Sequence, residues 1–222
     1  MKLAELIEDK NFNIEEMLND ARPFQELMMM YRCALREVTT KFEVLNEEFS
    51  LMNNRNPVES IKTRIKTPQS IYEKTKRKGC EFSVDSIRKN IFDVAGVRII
   101  CSFPSDIFKL AEMLIRQDDI KVVAIKDYIS NPKPNGYRSY HLIVEIPIFL
   151  AERTEHMMVE VQFRTIAMDF WASLEHKLKY KQNINNAERI AADLKDCADR
   201  ISALDVQMQS IREEIDGEKN DV

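Results

Sequence analysis

Two carboxylates in the middle of the chain are candidates for a shared divalent metal. Asp93 stands just before a predicted strand, and Glu160 lies within another strand, between the apolar residues Val159 and Val161. A hard cation such as Mg²⁺ takes one or two protein carboxylates and fills its other positions with water and phosphate oxygens. The pair suggests phosphoryl-type chemistry, although an isolated acid at either position is more often a surface residue.

A cluster of cations precedes the first of these acids. Seven basic residues against one acid, Glu73, give residues 62–78 a local charge of +6. They are Lys62, Arg64, Lys66, Lys74, Lys76, Arg77 and Lys78. Such crowding of like charge is unfavourable without an anion, and lysines and arginines together can hold a triphosphate. Since the sequence contains neither a P-loop nor a Gly-x-Gly-x-x-Gly segment, side chains are expected to hold the phosphates.

A polar loop, Lys126 to His141, leads into an apolar strand that ends near Ile148. Two prolines and the Asn135-Gly136 pair predict a turn-rich connection. Tyr137 can stack on a base, and an arginine plane can stack on another, so the residues suggest two nucleotides. A second strand, Met157 to Arg164, alternates apolar and polar residues and gives one polar sheet face. From that alternation alone, an ordinary hairpin with one solvated face is the favoured interpretation.

The remaining elements are predicted from periodicity, caps and breakers. A long helix spans Pro23 to Met52, and Thr63 to Lys66 is a short basic link. The other helices are expected from Thr67-Pro68 to Gly79, Val84 to Asn90, Asp106 to Arg116, Thr165 to about Lys181 (burying Trp171, Leu174 and Leu178), and Asn186 to Gly217; further strands are expected at Val97 to Phe103 and Ile120 to Lys126. This order predicts an α+β, α/β-like core, a mixed sheet of about five strands flanked by helices, with long N- and C-terminal helices.

Both terminal helices carry apolar stripes. In the first, Met28, Leu35, Phe42 and Phe49 repeat every seven residues, with a companion row of Tyr31, Val38, Leu45 and Met52. A similar stripe in the second contains Ile190, Leu194, Ala198, Leu204, Met208, Ile211 and Ile215. The stripes fit packing on the domain or on each other as well as an oligomer interface. The expected division is a helical region 1–55, a catalytic core 56–182 and a C-terminal helix 183–222 for oligomerisation.

Composition narrows the class of protein. With 222 residues, 44% hydrophobic and 32% charged, the chain fits a helix-rich globular protein, and its net charge of −4 advertises no general binding to nucleic acid. Four cysteines, Cys33, Cys80, Cys101 and Cys197, have no paired spacing, which argues against a zinc site or disulfide framework. No signal peptide or membrane span is evident. A cytoplasmic location is expected.

Four motifs occur in the order found in the RelA/SpoT synthetase domain, and the chain resembles the small alarmone synthetases, which consist of that domain alone. The first motif has Arg64, Lys66, Ser70 and Lys74, and the second has Asp93, Gly96 and Arg98. The third has Lys126, Tyr128, Lys133, Asn135, Gly136, Tyr137, Ser139 and His141, and the fourth has Glu160, Gln162, Arg164 and Thr165. The match covers about residues 56–181.

The resemblance implies transfer of pyrophosphate from ATP to the ribose 3′-OH of GDP or GTP, giving (p)ppGpp and AMP for the bacterial stringent response. Arg64 and Arg98 would sandwich the adenine, and Lys66, Ser70, Lys74 and Arg77 would hold the ATP phosphates. Asp93 and Glu160 would bind Mg²⁺, with Glu160 as base and Glu175 assisting. Tyr137 would stack on the guanine; the other acceptor-side residues are Lys126, Tyr128, Lys133, Asn135, Ser139, His141, Gln162 and Arg164.

The resemblance also implies partners and absences. The family suggests a homotetramer built through the terminal helices, and some relatives bind single-stranded RNA. Hydrolase activity is not expected, because the only histidines are His141, His156 and His176 and there is no room for the family's metal-dependent hydrolase domain. Ser60 and Lys62 replace the aromatic residue and threonine that serve alarmone activation in some relatives, so such activation is not expected.

Two other functions fit part of the pattern. Another nucleotidyltransferase would share the carboxylates and the triphosphate-binding cations, but it would not need Tyr137 and its loop for a guanine acceptor. A non-catalytic RNA-binding or scaffold protein would use the basic segment 62–78, and the acidic C-terminal helix argues against it. Acceptor-dependent release of AMP separates these alternatives from pyrophosphate transfer.

Overall fold

The computed structural model describes residues 22–53, 55–179 and 186–218. The described helices are α1 (Arg22–Asn53), α2 (Pro68–Lys78), α3 (Val84–Asn90), α4 (Pro104–Ile115), α5 (Ile166–Lys179) and α6 (Ala187–Glu218). The strands are β1 (Val58–Ile65), β2 (Ala95–Cys101), β3 (Lys121–Asp127), β4 (Tyr140–Phe149) and β5 (Thr154–Thr165). The predicted extension of α5 to Lys181 lies outside the described residues.

The five strands form one mixed sheet in the order β1-β2-β5-β4-β3. β2 and β5 pair in parallel, and the other neighbouring strands are antiparallel. The predicted α+β fold with a mixed sheet of about five strands and flanking helices is confirmed. The last strand in sequence, β5, occupies the centre of the sheet, so it is flanked by residues from both earlier parts of the chain.

The prediction of a basic link at residues 63–66 was wrong for most of that segment, because Thr63 to Ile65 belong to β1. Among the described strands, β1 is an edge strand that pairs with β2 alone. Ile61 and Ile65 pack partly against the core, whereas Lys62 and Arg64 are exposed. An edge strand with one solvent-exposed face lacks the apolar run that identifies a central strand. The charged residues of β1 therefore resembled a polar link.

One face of the sheet carries the core. Val159, Val161 and Phe163 of β5 are fully buried there beneath α1, whose Phe42 meets the Phe163 ring edge-on at 5.6 Å. The N-terminal stripe therefore packs on the sheet for most of its length, while Met52 at its end is 75% exposed. How the chain divides at residues 55 and 182 stays a prediction.

The C-terminal helix α6 has one buried side, and much of its apolar stripe lies on the exposed side. Ala198 and Asp205 are buried, whereas Leu204, Met208, Ile211 and Ile215 are exposed. Trp171 of α5 is also buried, as predicted, and its indole N–H donates to the carbonyl of Leu194 at 2.8 Å. The two elements therefore pack together beside the sheet.

The predicted burial of Leu174 and Leu178 was wrong, because their exposed fractions are 42% and 48%. Helical periodicity identifies an apolar face but not what covers it. Thr165 does cap α5 as predicted, since its hydroxyl accepts from the Met168 N–H at 3.1 Å. Within the three described ranges, no helix is long and apolar enough to cross a membrane.

Candidate active site

The strand register aligns polar side chains across the face of the sheet opposite α1. Residues directly opposite each other in neighbouring strands point to the same face. One row runs Lys62, Arg98, Gln162, His141 and Lys126, and the next begins Arg64, Gly96 and Glu160. These rows border a cavity of about 380 Å³, which is within the usual size of small-molecule sites. Its lining residues are Lys62, Thr63, Arg64, Lys66, Asp93, Gly96, Val97, Arg98, Glu160 and Gln162.

Asp93 receives two lysines. The Nζ atoms of Lys74 and Lys66 lie 2.5 Å and 3.0 Å from its Oδ2. Burial alone would raise the pKa of Asp93, but the hydrogen bonds from Lys74 and Lys66 outweigh it and hold that pKa below its ordinary value. Lys74 reaches the site from α2, whose start is fixed by Thr67 as N-cap and Pro68 and whose end is fixed by Gly79 at φ 66°.

Glu160 is held by its two neighbours on the sheet face. His141 Nδ1 lies 3.3 Å from Oε1, and Gln162 donates to Oε2 at 2.8 Å. Burial raises the pKa of Glu160 and so does the charge of Asp93, yet the contacts with His141 and Gln162 leave the pKa below its ordinary value. Glu160 is therefore an ionised carboxylate at neutral pH.

A chain of hydrogen bonds connects Glu160 with the loop between β3 and β4. Arg164 donates to the Tyr137 hydroxyl at 2.8 Å, and this hydroxyl lies 3.0 Å from His141 Nε2. Because arginine can only donate, the hydroxyl proton is available to Nε2. In a neutral His141 the ring proton is then on Nδ1, directed at Glu160. The position of the Glu160 carboxylate thus depends on Tyr137 through one imidazole.

The β3–β4 loop, residues 128–139, is fixed at several points. Its two ends are joined by the hydrogen bond from the Tyr128 N–H to the Ser139 carbonyl, 3.0 Å. At its tip, Gly136 has φ 87° and lies so close to α6 that an added Cβ would stand 2.6 Å from the Cβ of Ala198. Arg138 binds Asp199 of α6 at 3.0 Å. The terminal helix therefore supports the loop that presents Tyr137.

Cations surround the aromatic rings of this loop. Lys133 Nζ lies 4.6 Å from the ring centre of Tyr128 and 4.7 Å from that of Tyr137. The Arg164 guanidinium is 5.1 Å from the Tyr137 ring centre. Both aromatic rings therefore lie beside positive charge, an arrangement suited to a base that carries phosphates.

The two carboxylates fit a hard divalent cation. Asp93 Oδ1 is buried and has no hydrogen-bond partner among the described residues, so one acceptor in the cavity is available to a cation. No group of three or more histidine, cysteine or acidic side chains that could hold a metal occurs in the described part of the chain. Mg²⁺ suits a pair of acids better than a full protein cage, because it retains water and phosphate ligands.

A comparison with known proteins identifies the family of the chain. Residues 63–185 match the family model described as "Region found in RelA / SpoT proteins", and this segment contains all the cavity-lining residues except Lys62, together with the β3–β4 loop and α5. The matched segment is more than half of the chain. The chain belongs to the RelA/SpoT family.

The relatives of this RelA/SpoT chain include short proteins of similar length. It is 46% identical over 189 residues to the GTP pyrophosphokinase YwaC of Bacillus subtilis, covering 85% of this chain and 90% of the relative. The crystal structure of small alarmone synthetase 2 from B. subtilis matches with TM-score 0.78 at 44% identity, covering 86% of this chain and 98% of that one. Small alarmone synthetase 1 from B. subtilis, bound to its product pppGpp, matches with TM-score 0.78 at 36% identity, covering 86% and 97%. The predicted resemblance to the small alarmone synthetases is confirmed.

Some predicted site residues of the RelA/SpoT chain are used within the fold. Ser139 is fully buried and donates to the Phe163 carbonyl at 2.9 Å, so its hydroxyl joins the end of the β3–β4 loop to β5. Glu175 of α5 accepts from Asn135 of the β3–β4 loop at 3.0 Å. Ser70 lies in the first turn of α2 and bonds to its N-cap, Thr67, at 3.0 Å. The catalytic role of Glu175 and the ligand roles of Asn135, Ser139 and Ser70 stay predictions.

Two further predicted residues are open to solvent. Arg77 is exposed in the last turn of α2, and Lys126 is exposed on β3 opposite His141. Neither residue is part of the cavity lining. The predicted donor-side role of Arg77 and acceptor-side role of Lys126 stay predictions.

Asp169 was missed by sequence reasoning. It lies in the first turn of α5, and its carboxylate binds Lys62 at 2.9 Å, Arg164 at 3.0 Å and Arg98 at 3.2 Å. Burial raises the pKa of Asp169, but the hydrogen bond from Lys62 and the charges of the arginines hold it below its ordinary value. The available signal was an acid five residues after Arg164, in a helix that begins directly where the strand ends.

Proposed function

We propose that the chain is a GTP pyrophosphokinase of the small alarmone synthetase type, which moves the β,γ-pyrophosphate of ATP to the ribose 3′-OH of GDP or GTP. The observation that carries this is the cavity in which cations and two carboxylates, Asp93 and Glu160, lie next to the loop of Tyr137. The relatives' names agree, since YwaC is a GTP pyrophosphokinase and small alarmone synthetase 1 binds pppGpp.

The reaction needs one bond made and one broken. The 3′-oxygen of the acceptor attacks the β-phosphorus of ATP, the bond from that phosphorus to the α,β-bridging oxygen breaks, and AMP leaves. Glu160 accepts the 3′-OH proton; its low pKa keeps it ionised at neutral pH, and His141 and Gln162 orient its two oxygens. Most of the rate enhancement in such transfers comes from positioning and charge neutralisation.

The donor side consists of Arg64, Lys66, Ser70, Lys74, Arg77 and Arg98. Lys66 and Lys74 share one carboxylate oxygen of Asp93. Phosphate oxygens can replace that oxygen as the partner of both lysines. Arg98 and Arg64 lie on neighbouring strands facing the cavity, and we assign them to the adenine. Asp93 and Glu160 would hold Mg²⁺, which supplies charge neutralisation on the phosphate oxygens. A relative, small alarmone synthetase 1, binds the ATP analogue AMPCPP.

The acceptor side consists of the β3–β4 loop together with Lys126, His141, Gln162 and Arg164. We assign the Tyr137 ring to the guanine, with Lys133 beside it to meet the acceptor's phosphates. Because Tyr137 also bonds to His141, two hydrogen bonds connect this tyrosine with the catalytic carboxylate of Glu160. Stacking of guanine on Tyr137 thereby orients Glu160, which accepts the proton of the 3′-OH.

The deciding experiment incubates the purified protein with Mg²⁺ and ATP, with GDP, GTP or no acceptor, and separates products by anion-exchange chromatography. We expect AMP together with a guanosine tetra- or pentaphosphate only when acceptor is present. The relative rates give the preferred acceptor. Folded protein that forms no such product, or that releases AMP equally without acceptor, would refute the assignment and favour another nucleotidyltransferase.

We also propose a homotetramer assembled through the terminal helices, acting in the cytoplasm. The support is the exposed stripe of Leu204, Met208, Ile211 and Ile215 on α6, because a continuous apolar stripe in water favours association. Light scattering should give a mass four times that of the chain, and Met208→Lys with Ile211→Lys should reduce it. A wild-type monomer at micromolar concentration would contradict the proposal. Binding of single-stranded RNA stays a prediction.

A further inference from the structure

A single buried carboxylate lies between the donor and acceptor sides. Asp169 is 7% exposed, and its oxygens have separate partners. Oδ2 binds Lys62 Nζ at 2.9 Å, whereas Oδ1 accepts from Arg98 Nη1 at 3.2 Å and from Arg164 Nη1 at 3.0 Å. One oxygen atom is therefore shared by two guanidinium groups.

The two arginines serve different substrates in the proposed function. Arg98 lines the donor cavity, and its other terminal nitrogen points to Gln162 Oε1 at 3.5 Å. Arg164 is buried, and its other terminal nitrogen donates to the Tyr137 hydroxyl at 2.8 Å. Asp169 is consequently two hydrogen bonds away from the ring assigned to guanine and one away from an arginine assigned to adenine.

Asp169 also keeps two like charges together. Burial and the charge of Arg164 lower the pKa of Arg98, while Asp169 acts in the opposite direction. The Nε atoms of both arginines are buried and have no hydrogen-bond partner in the described ranges, so the terminal nitrogens alone orient these groups. With the carboxylate neutralised, Arg98 and Arg164 would repel each other, and each would turn away from its present position.

We propose that Asp169 is a positioning residue that couples the binding of the two nucleotides. The inference rests on the proposed function. A donor that orders Arg98 also orders the shared oxygen, and with it Arg164 and Tyr137; an acceptor stacked on Tyr137 orders Arg98 by the same route. By linkage, each nucleotide tightens the binding of the other by the same factor.

The test measures binding without turnover. AMPCPP has a methylene group in place of the α,β-bridging oxygen, so the bond that must break is blocked. Titration calorimetry with Mg²⁺ gives the Kd of AMPCPP with and without GDP, and the Kd of GDP with and without AMPCPP. In the wild-type chain we expect each ligand to tighten the other about fivefold or more, the lower range of typical coupling. In Asp169→Asn, which keeps the shape and removes the charge, we expect the factor to approach one and both single-ligand Kd values to rise.

Asp106 provides a matched control. It is fully buried in the first turn of α4 and, like Asp169, contacts two arginines. These are Arg55 and Arg212, neither of which lines the cavity, whereas Arg98, bound by Asp169, does. Asp106→Asn should lower the Tm and leave the coupling factor unchanged. A structural role for Asp169 would likewise lower the Tm and the fraction of active protein while leaving Kd and coupling intact.

The possible results separate this inference from the proposed function. Failure of the wild-type chain to bind either nucleotide would count against the function itself. Binding of both without mutual tightening, or coupling that persists in Asp169→Asn, would overturn only the role of Asp169. Should that variant not fold, Lys62→Met decides. It removes the cation that binds Oδ2 from the edge strand β1 and should reduce the factor about twofold; an unchanged factor would overturn the proposal.

Discussion

The donor and acceptor sides of the cavity are held by different forces. On the donor side, Lys66 and Lys74 converge on one carboxylate, and Arg64 stands exposed on an edge strand. On the acceptor side, the β3–β4 loop is closed by backbone hydrogen bonds and its tip, Gly136, rests on α6. The first arrangement can exchange partners when phosphate arrives, whereas the second is built before any ligand binds.

This difference predicts that salt affects binding on the donor side and that steric changes affect binding on the acceptor side. Ion pairs near the surface are screened by salt, while close packing and backbone hydrogen bonds are hardly affected. We therefore expect donor binding to weaken with ionic strength more steeply than acceptor binding. The predictions below test this division, beginning with the residue that serves both sides.

The largest effect is expected for Glu160→Gln. The amide keeps the size of the side chain but can neither accept the 3′-OH proton nor contribute charge to Mg²⁺. Formation of AMP and alarmone should fall about a thousandfold or more, because a general base contributes about 100- to 10,000-fold to the rate. Rates are measured by anion-exchange chromatography, with Tm as the control for folding. A folded variant with near wild-type AMP release would disprove the role.

A donor-side lesion should affect one substrate only. Lys74→Met removes a charged hydrogen bond to Asp93 and a phosphate-binding cation. Because such bonds contribute about 1.5–3 kcal/mol, the KM for ATP should rise about 10- to 100-fold, with little change in the KM for GDP. Lys89→Met, an exposed lysine in the last turn of α3, is the matched control and should change neither value. Equal changes in both KM values for Lys74→Met would mean that the two sides are not separate.

An acceptor-side lesion should give the opposite selectivity. Gly136→Ala places a Cβ 2.6 Å from that of Ala198 and forces an L-residue to keep φ 87°. The loop should shift from α6, raising the KM for GDP about tenfold while the KM for ATP remains near wild type. Adding Ala198→Gly removes the close contact but not the backbone strain, so it should restore part of the loss. No recovery in the double variant would show that strain alone causes the effect.

The smallest effect concerns pH and the support beneath the loop. Burial raises the pKa of Asp205, and the hydrogen bond from Thr165 only partly offsets this. A raised pKa means stability that is present at low pH and lost as pH rises through the folded pKa, so the ionised group is unfavourable at neutral pH. Asp205→Asn should keep the Thr165 bond and raise the Tm at pH 7 by a few degrees, about 2–4 °C per kcal/mol for a chain of this size.

The cavity carboxylates provide the contrast. Asp93, Glu160 and Asp169 have lowered pKa values, so their stability is present above the ordinary values and lost as pH falls through the folded ones. Scanning calorimetry from pH 7 to pH 3 should therefore show the Tm of wild type falling in acid, and the advantage of Asp205→Asn disappearing there. A lower Tm for Asp205→Asn at pH 7 would contradict the assignment.

Local chemistry made part of the fold readable in advance. Helix α2 was predicted from Thr67, Pro68 and Gly79 because caps act within a few residues of the helix they end. The alternation of β5 predicted which of its residues enter the core. Strand β1 was missed in part because an edge strand with one solvated face resembles a polar link.

The candidate site was predictable as residues but not as a network. The motif residues Asp93, Arg98 and Glu160 do line one cavity. Asp169 escaped because two of its three cations are remote in sequence: Lys62 is 107 positions away and Arg98 is 71 positions away. Nor does any local pattern show that Gly136 touches α6, since that contact depends on how the terminal helix packs. Long-range pairings of this kind arise only from the assembled fold.

The central place of β5 has a consequence for the synthesis of the chain. β1 pairs with β2, and β3 pairs with β4, but within the described sheet these two pairs are joined by β5, the last of its five strands to leave the ribosome. Until then the nascent chain carries Lys66 and Asp93 on one half and Tyr137 on the other, with no Glu160 between them. A message cut short before this strand thus yields a polypeptide that lacks Glu160 and is unable to produce alarmone.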